Sequence, residues 1–416
     1  MSGRIKIDVA GLGTGSVELP AAVGASSWFG PPSLVDGQFR DRIRAVLDAP
    51  SGLLPPLAQM VVPGDRVAIA LDPSTPRWSD VVGEVVERLQ AGGVDAGSTR
   101  VVALREVEDR SGRLPRGVEW TVHAPESREG LAYLASTQGG RRIYLNRHVT
   151  DADLVVAIGR LERSPLRMFG GGWTREAVVG PWTVVYPGLS DAATRQEAEA
   201  LVEQTSPKGR TGSRAGCDQE SREVGRLLGT VYQIGVIPGA DGGVHDVHVG
   251  SIQDSATVRR AVREAWRFET SRTFDVVVAR IGGGTPSVGW TELVSGVLSA
   301  VRLVRPGGML LVSCPMQDLP GPAIAALASS EEIRPRGALS GLSQAADYAL
   351  ARSLSDLPSG WHVALASGID RETVEGLGFI VLEEGKATAQ RLIDAAESCV
   401  FVDRPEITGV RIAEEA

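Results

Sequence analysis

The sequence has few of the residues on which metal sites, disulfides and covalent catalysis are usually built. It contains 416 residues but only three cysteines, five histidines and 5% aromatic residues. The cysteines Cys217, Cys314 and Cys399 lack CxxC spacing, so they predict neither a disulfide framework nor a zinc site and are expected to be buried thiols. Only three of the 43 basic residues are lysine. Chemistry that requires a lysine amine therefore has few candidates, namely Lys6, Lys208 and Lys386.

Long apolar runs are also missing. No segment approaches the roughly 18 to 20 apolar residues that cross a bilayer, and the first residues, MSGRIKIDVAG, lack the core of a signal peptide. We therefore expect a soluble cytoplasmic protein with no membrane partner. The net charge of −8 argues against a general nucleic-acid surface, because nothing supplies the positive field that phosphates need.

What is present is an ordinary globular composition, with 43% hydrophobic and 23% charged residues. The length exceeds that of one typical core and suggests two or three domains. Strand and helix patterns alternate, which predicts an α/β fold with mostly parallel sheets flanked by helices and a ligand cleft between two domains. In the first half we predict strands at 66–71, 101–104, 154–158 and 231–238, and helices at 80–91, 218–228 and 255–266.

A second block of the same kind starts near Arg272. There we predict strands at 274–279, 309–313, 362–366 and 379–382, and helices at 291–304 and 387–398, with Arg305 to Gly308 as a turn. The predicted domains are an N-terminal domain of residues 1–268 and a C-terminal α/β domain of residues 269–400. Residues 401–416 would form a tail that returns to the N-terminal domain.

Residues 143–172 are the most informative stretch, because a strand of the buried type runs into a loop rich in glycine. Gly159 ends the apolar run, and Gly170, Gly171 and Gly172 would let the backbone approach a ligand closely. A plain surface loop is the alternative interpretation. Arg160 and Glu162, just after the strand, would either line a cleft or form a structural ion pair.

The loop after the first predicted strand offers further candidates. Asp72 could hold a ribose hydroxyl group or simply cap the following turn. Ser74 and Thr75 could cradle a phosphate with their backbone amides, or form only a turn. Arg77 follows two residues later. In parallel sheets ligands bind beyond the carboxyl ends of the strands, so these loops are expected to share one cleft.

Histidine contributes little to these candidates. His245 and His248 are the only two that lie close together, and they would share a metal ion only if their segment were helical. The flanking glycines and valines predict loop and strand instead.

Several of these segments resemble the nickel-pincer lactate racemases. The strand and loop from Gly64 to Pro76 are similar to that family's strand and its Asp-x-Thr-Arg-Pro loop. Tyr144 to Arg147, Ala152 to Glu162 and Phe169 to Gly172 resemble the family's central segment. In the second half, Gly282, Gly283 and the turn from Arg305 to Gly308 resemble its C-terminal domain.

The resemblance implies a cofactor that this chain is poorly equipped to hold. In that family a lysine anchors a pyridinium-derived nickel-pincer nucleotide, and two histidines exchange a proton with the substrate hydroxyl group. The corresponding positions hold no histidine around Arg105 to Glu108 or at Ser164, and no lysine at Trp173 to Arg175. The metal-ligand histidine is also missing from Ser190 to Glu199, and Glu292 and Ser295 stand roughly where the family has substrate-binding Gln and Lys. The cofactor is therefore left unknown, and no metal ligand is assigned.

Three hypotheses follow from the residues and the resemblance. The first is a divergent member that binds a small carboxylate or hydroxy acid through arginines, for which the candidates are Arg160, Arg163, Arg167 and Arg175. The second is a non-catalytic binding or assembly protein on the same fold. The third is an active 2-hydroxy-acid racemase that uses catalytic residues recruited from elsewhere in the chain.

Overall fold

The computed structural model describes most of the chain. The described residues are 4–8, 16–20, 27–52, 54–107, 114–136, 140, 142–163, 178–196, 221, 223–229, 231–251, 255–283, 288–343, 345, 347–357, 360–382 and 385–413.

The first part of the chain builds one large sheet and three small pairings. Its strands are β1 Arg4–Asp8, β2 Ser16–Pro20, β3 Val67–Leu71, β4 Thr99–Ala103, β5 Glu119–Val122, β6 Leu131–Ser136, β7 Arg142–Asn146, β8 Leu154–Arg160, β9 Glu162–Arg163, β10 Val178–Val179, β11 Val231–Pro238 and β12 Val244–Gly250. Its helices are α1 Asp36–Asp48, α2 Trp78–Ala91, α3 Arg147–Thr150 and α4 Ser255–Ala265.

The large sheet has the order β12-β11-β8-β3-β4-β5, and only the β11–β12 pairing is antiparallel. Alternate residues of its central strands face opposite sides, as the twofold repeat of a strand requires. Val156 and Ile158 pack with the apolar faces of α1 and α2, whereas Val155 and Ala157 pack with the residues of β7, α3 and segment 184–189. The sheet is thus covered on both faces, which explains the unbroken apolar run of β8.

The second part of the chain builds a second parallel sheet and one separate two-stranded pairing. Its elements are β13 Arg267–Thr270, β14 Phe274–Arg280, α5 Trp290–Ala300, β15 Val304–Ser313, α6 Pro322–Ala328, α7 Tyr348–Ser355, β16 His362–Ala366, α8 Arg371–Gly376, β17 Ile380–Val381, α9 Gly385–Ala395, β18 Cys399–Asp403 and β19 Gly409–Ile412. The strand order is β17-β16-β15-β14-β18, and all four pairings are parallel. One face packs against α5, α6 and α7 and the other against α9. The predicted α/β fold with mostly parallel, helix-flanked sheets is confirmed.

The boundaries of some elements differ from the prediction. The predicted turn from Arg305 to Gly308 lies within β15, whose pairing with β14 is irregular between Phe274 and Val276. Gly307 has a φ of +76° there, which a glycine adopts without strain. Helix α2 begins at Trp78, before the predicted start at Asp80, because Trp78 packs into the core beside Trp120.

The two ends of the chain both contact the second sheet. Val17 and Leu19 of the β1–β2 hairpin pack in the cluster formed by α9 and β18, and Gln390 of α9 exchanges hydrogen bonds with the backbone of Glu18. Strand β18 is part of the second sheet, and β19 pairs with β13. Which residues fold as one domain stays a prediction.

In the part of the chain that the structure describes, no helix is long and apolar enough to cross a membrane.

Candidate functional site

The candidate site lies where the carboxyl ends of strands from both sheets meet. Strand β8 ends at Arg160, and the second sheet contributes the segment that follows β18. Arg404 of that segment is 3.8 Å from Glu162, and Ile407 packs with Leu161 and Trp266. Strand ends of this type are the usual ligand-binding edge of parallel sheets.

Arg160 and Glu162 form an ion pair at this junction. Arg160 donates from Nη2 to Oε2 of Glu162, and their side chains are only 15% and 14% exposed. Burial alone would lower the pKa of Arg160, but Glu162, Asp72 and Glu292 act against it, so the pKa is raised and the guanidinium stays charged. The structure therefore forms the pair that the sequence suggested. The Nε atom of Arg160 is buried and has no hydrogen-bond partner among the described residues.

Arg404 connects the two sheets, because it follows β18 of the second sheet and approaches Glu162, which follows β8 of the first. It is 2% exposed, has a φ of +48°, and places its guanidinium 5.2 Å from the ring of Trp266. Trp266 is itself fixed, because its indole nitrogen donates to the carbonyl oxygen of Pro238 at 3.0 Å. Stacking on an indole while facing carboxylates suits a planar guanidinium.

Glu406, two residues after Arg404, is an acid that is only 1% exposed. One carboxylate oxygen, Oε1, accepts from the backbone nitrogen of Gly282 at 3.1 Å and from Nε of Arg404 at 3.5 Å. The other oxygen, Oε2, is buried and has no partner in the described part of the chain. Burial raises the pKa of Glu406 to about 7, against the opposing charge of Arg404.

A second ion pair, between Arg280 and Asp403, holds the end of β18 in place. Arg280, the last residue of β14, donates from Nε and Nη2 to the two oxygens of Asp403 at 2.7 Å each. Asp403 has no exposed side-chain surface, and burial raises its pKa even though Arg280 opposes the shift. The two-point geometry fixes the turn from which Arg404 and Glu406 project.

Helix α5 presents Glu292 to the same cluster. Glu292 accepts from the backbone nitrogen of Gly289 at 3.0 Å, and burial raises its pKa, with a further contribution from Glu162. One turn later, Ser295 is fully buried and its Oγ has no hydrogen-bond partner among the described residues. Glu292 and Ser295 stand roughly where the family that the sequence resembles has substrate-binding Gln and Lys. Glu292 lies close enough to Arg160 to interact with it electrostatically.

The loop after β3 is a closed turn. Asp72 accepts from the backbone nitrogen of Ser74 at 2.9 Å and from its hydroxyl group at 2.7 Å, and the nitrogen of Thr75 donates to the carbonyl oxygen of Asp72. Both amides are therefore engaged within the loop, which favours the turn interpretation over a phosphate cradle. The hydroxyl oxygen of Thr75 is buried without a partner in the described structure.

Arg77 forms ion pairs with α1 and α2 and is not part of this turn. It caps the start of α2 with a φ of +55°, pairs with Asp36 at 2.6 Å and Asp80 at 2.8 Å, and lies 4.3 Å from the ring centroid of Phe39. These contacts connect α1 to α2, so the guanidinium already has carboxylate partners. Its role in ligand binding stays a prediction without a contact to support it.

Other candidates cannot be placed. Gly170, Gly171, Gly172, Arg167 and Arg175 lie outside the described residues, as do Ser164, Lys208 and Cys217. Arg163 is described and is 7% exposed, close to Gly409.

His123, His245 and His248 make contacts within the protein. His123 accepts at Nδ1 from Asn146, whose orientation is set because its amide oxygen accepts from the nitrogen of His148, and Nε2 donates to the carbonyl oxygen of Ser190 at 2.8 Å. Burial lowers the pKa of His123. His245 and His248 lie on strand β12, where His245 donates from Nδ1 to the carbonyl oxygen of Pro32 at 2.8 Å and Nε2 of His248 lies 3.2 Å from Asp246.

No potential metal site is found in the described parts of the chain. They contain no group of three or more His, Cys, Asp or Glu side chains that could hold a metal ion. Cys314 and Cys399 are buried free thiols, and burial raises the pKa of each to about 12. Neither thiol is an available thiolate ligand near neutral pH.

Sequence reasoning missed Arg404, Glu406 and the Arg280–Asp403 pair. The signal was present, because Cys399 to Val402 is a short apolar run followed by polar residues, as at β8. The predicted C-terminal domain ended at residue 400, so this strand was assigned to a tail. A search for every apolar run followed by charged residues would have included it.

Comparison with known proteins gives a family match for part of the sequence and solved structures that share the fold over most of the chain. Residues 35–179 match the family model of the lactate racemase N-terminal domain. The structure of the lactate racemase apoprotein from Thermoanaerobacterium thermosaccharolyticum superposes with a TM-score of 0.68 at 15% identity, covering 98% of this chain and 100% of that one. A Thermotoga maritima protein superposes with a TM-score of 0.64 at 12% identity, covering 92% of this chain and 100% of that one. No curated protein matches the sequence. The predicted resemblance is confirmed, and the two-domain lactate racemase fold extends over the chain.

Proposed function

We propose that this lactate-racemase-like protein binds a small carboxylate, with 2-hydroxy acids as the ligand class, between the carboxyl ends of its two sheets. The observation that carries the proposal is the Nε of Arg160, which has no hydrogen-bond partner in the described part of the chain and belongs to a guanidinium that stays charged and is only 15% exposed. A carboxylate pairs with a guanidinium through two parallel hydrogen bonds, and such pairs are strongest where water is excluded. Arg160 thus has donor capacity that Glu162 does not use.

Neighbouring groups suit the rest of such a ligand. Glu292, whose charge acts on Arg160, is half-buried on α5, and Ser295 one turn later on that helix has a buried hydroxyl group without a partner among the described residues. A ligand hydroxyl group can donate to a carboxylate and accept from a serine. The arrangement therefore favours a molecule that carries both a carboxylate and a hydroxyl group.

The described residues do not fit the nickel-pincer nucleotide of the family that the sequence resembles. His123 has both ring nitrogens engaged in hydrogen bonds within the protein, and the thiols of Cys314 and Cys399 are buried with raised pKa values. In the sequence, the expected anchoring lysine is replaced by Trp173, Thr174 or Arg175, and a guanidinium is a poor nucleophile. We therefore derive no chemical step through nickel and propose ligand binding without assigning a reaction.

The proposal is tested with protein purified from its own host. Nickel content is measured by elemental mass spectrometry, lactate binding by isothermal titration calorimetry, and interconversion of D- and L-lactate by chiral chromatography. We expect lactate to bind to a nickel-free chain. About one nickel per chain together with interconversion would instead support an active racemase with recruited residues.

The absence of binding to lactate and other 2-hydroxy acids would contradict the proposal. If the protein were then recovered in a stable complex with another protein, the non-catalytic assembly function would be supported. The cytoplasmic location expected from the sequence stays a prediction, as does the expectation that the protein does not bind nucleic acid.

A further inference from the structure

Within the part of the chain that the structure describes, the charged cluster between the two sheets contains more acid than base. Its guanidinium groups are those of Arg160 and Arg404, and its carboxyl groups are those of Asp72, Glu162, Glu292 and Glu406. A bound carboxylate would add another negative charge to a region with little solvent. Like charges at such separations repel strongly where the effective dielectric constant is low. Binding of an anion is therefore favoured when one of the acids is neutral.

Glu406 is the acid best placed to become neutral. Its side chain is 1% exposed, and only Oε1 accepts hydrogen bonds from the described residues. Oε2 is buried and has no donor among the described residues, so a proton on that oxygen would displace no existing hydrogen bond. Burial raises the pKa of Glu406 to about 7.

Of the acids that face Glu406, Asp403 and Glu292 also have pKa values that burial raises, but each has a hydrogen-bond partner that favours its charged form. Asp403 from β18 is held at both oxygens by Arg280 from β14, and Cys314 after β15 is a thiol whose pKa burial raises to about 12. From the first sheet, Glu162 is held by Arg160. The remaining charged groups are Arg404 and Glu292 on α5, whose carboxylate accepts from the nitrogen of Gly289.

We infer that the site takes up its carboxylate ligand together with one proton, and that Glu406 holds that proton in the complex. The inference rests on the proposed function and requires no contact between Glu406 and the ligand. Glu406 thus controls how the affinity for the ligand depends on pH. The ligand is an anion, and its affinity weakens as the pH rises.

Calorimetry with lactate measures this proton uptake directly. The enthalpy of binding is determined at about pH 8 in buffers with different ionisation enthalpies, and its slope gives the number of protons taken up. Because an acid with a pKa of about 7 is roughly nine-tenths ionised at that pH, we expect an uptake of about 0.9 proton per lactate. The affinity is expected to fall about tenfold for each pH unit above 7.

The Glu406→Gln variant is expected to bind lactate without proton uptake and with little dependence on pH, because an amide keeps the acceptor for Gly282 but cannot ionise. Glu397→Gln is the matched control, since Glu397 is exposed, and this variant should retain the uptake. An uptake near zero in the unmodified protein would overturn the inference, as would an undiminished uptake in a folded Glu406→Gln variant. If that variant does not fold, the uptake by the unmodified protein decides.

The failure of lactate to bind would refute the proposed function rather than the role of Glu406. In that case, infrared difference spectra between the unmodified protein and Glu406→Gln are recorded without ligand from about pH 5 to about pH 9. A carboxylic acid band that disappears with a midpoint near pH 7 supports Glu406 as the proton holder. A carboxylate signal over the whole range overturns it.

Discussion

Replacing Arg160 with glutamine should destabilise the protein, because Glu162 then lies largely buried without its main partner. The two side chains are 15% and 14% exposed, and loss of one member of a buried ion pair costs about 3 to 5 kcal/mol. Arg404 remains 3.8 Å from Glu162 and compensates part of the charge, so we expect about 3 kcal/mol for Arg160→Gln. Removing both charges in Arg160→Gln/Glu162→Gln should cost about 1 kcal/mol, since two neutral amides can still form a hydrogen bond.

Urea titrations followed by tryptophan fluorescence measure these differences, with midpoints compared at a constant slope. The matched control is Arg260→Gln, because Arg260 and Glu264 form an ion pair on α4 with side chains that are 80% and 60% exposed. Such exposed pairs contribute about 0.5 kcal/mol. A loss of less than about 1 kcal/mol in Arg160→Gln, or a double variant as unstable as the single one, would refute the buried-pair reasoning.

Three further predictions concern other buried polar groups. Because the pKa of Glu406 is raised from 4.5 to about 7, its contribution to the free energy of unfolding is present at low pH and is lost as the pH rises through this window. The Glu406→Gln variant cannot ionise, so its free energy of unfolding, measured by urea titration, should rise by about 3 kcal/mol relative to that of the unmodified protein between about pH 4.5 and pH 8. Because burial lowers the pKa of His123 from 6.5, stability should fall as the pH drops below that value, and His123→Gln should show a shallower fall in thermal melts; an unchanged fall would contradict this role. Asp347 accepts from the nitrogens of Ala323 and Ile324 at 3.1 and 2.8 Å at the start of α6, so Asp347→Ala should cost about 2 kcal/mol and Asp347→Asn less; equal losses would indicate that the cap is not the cause.

The central strands of both sheets were predictable because their physical signal is local. Residues 154–158 and 276–279 form unbroken apolar runs, which is the pattern of a strand that is covered on both faces. The carboxyl ends of these strands then indicated where a ligand would bind. Arg160 and Glu162 lie at such an end, and they also match polar positions of the family that the sequence resembles.

The partners of Arg160 and Glu162 were less predictable, because their contacts join distant parts of the chain. Arg404 lies more than two hundred residues after Glu162, and no motif connects them. The short strands β13 and β19 contain only four residues each, and their pairing depends on the position of the second sheet. Local periodicity carries no information on such contacts.

The loop after β3 shows a different limit. Asp72, Ser74 and Thr75 have side chains that suit both a ligand site and a turn, so composition could not separate the two. The hydrogen bonds from Ser74 to Asp72 favour the turn. Only the positions of the donors and acceptors distinguish the alternatives.

The central claim is that a carboxylate ligand pairs with Arg160 between the two sheets. The most direct test is the affinity for lactate at about pH 6, measured by calorimetry on the unmodified protein and on the charge-balanced variant Arg160→Gln/Glu162→Gln. Loss of a hydrogen-bonded charge pair costs about 1.5 to 3 kcal/mol, so we predict an affinity roughly tenfold or more weaker in the double variant. Equal affinity of the two folded proteins would show that the ligand does not use Arg160 and would contradict the account.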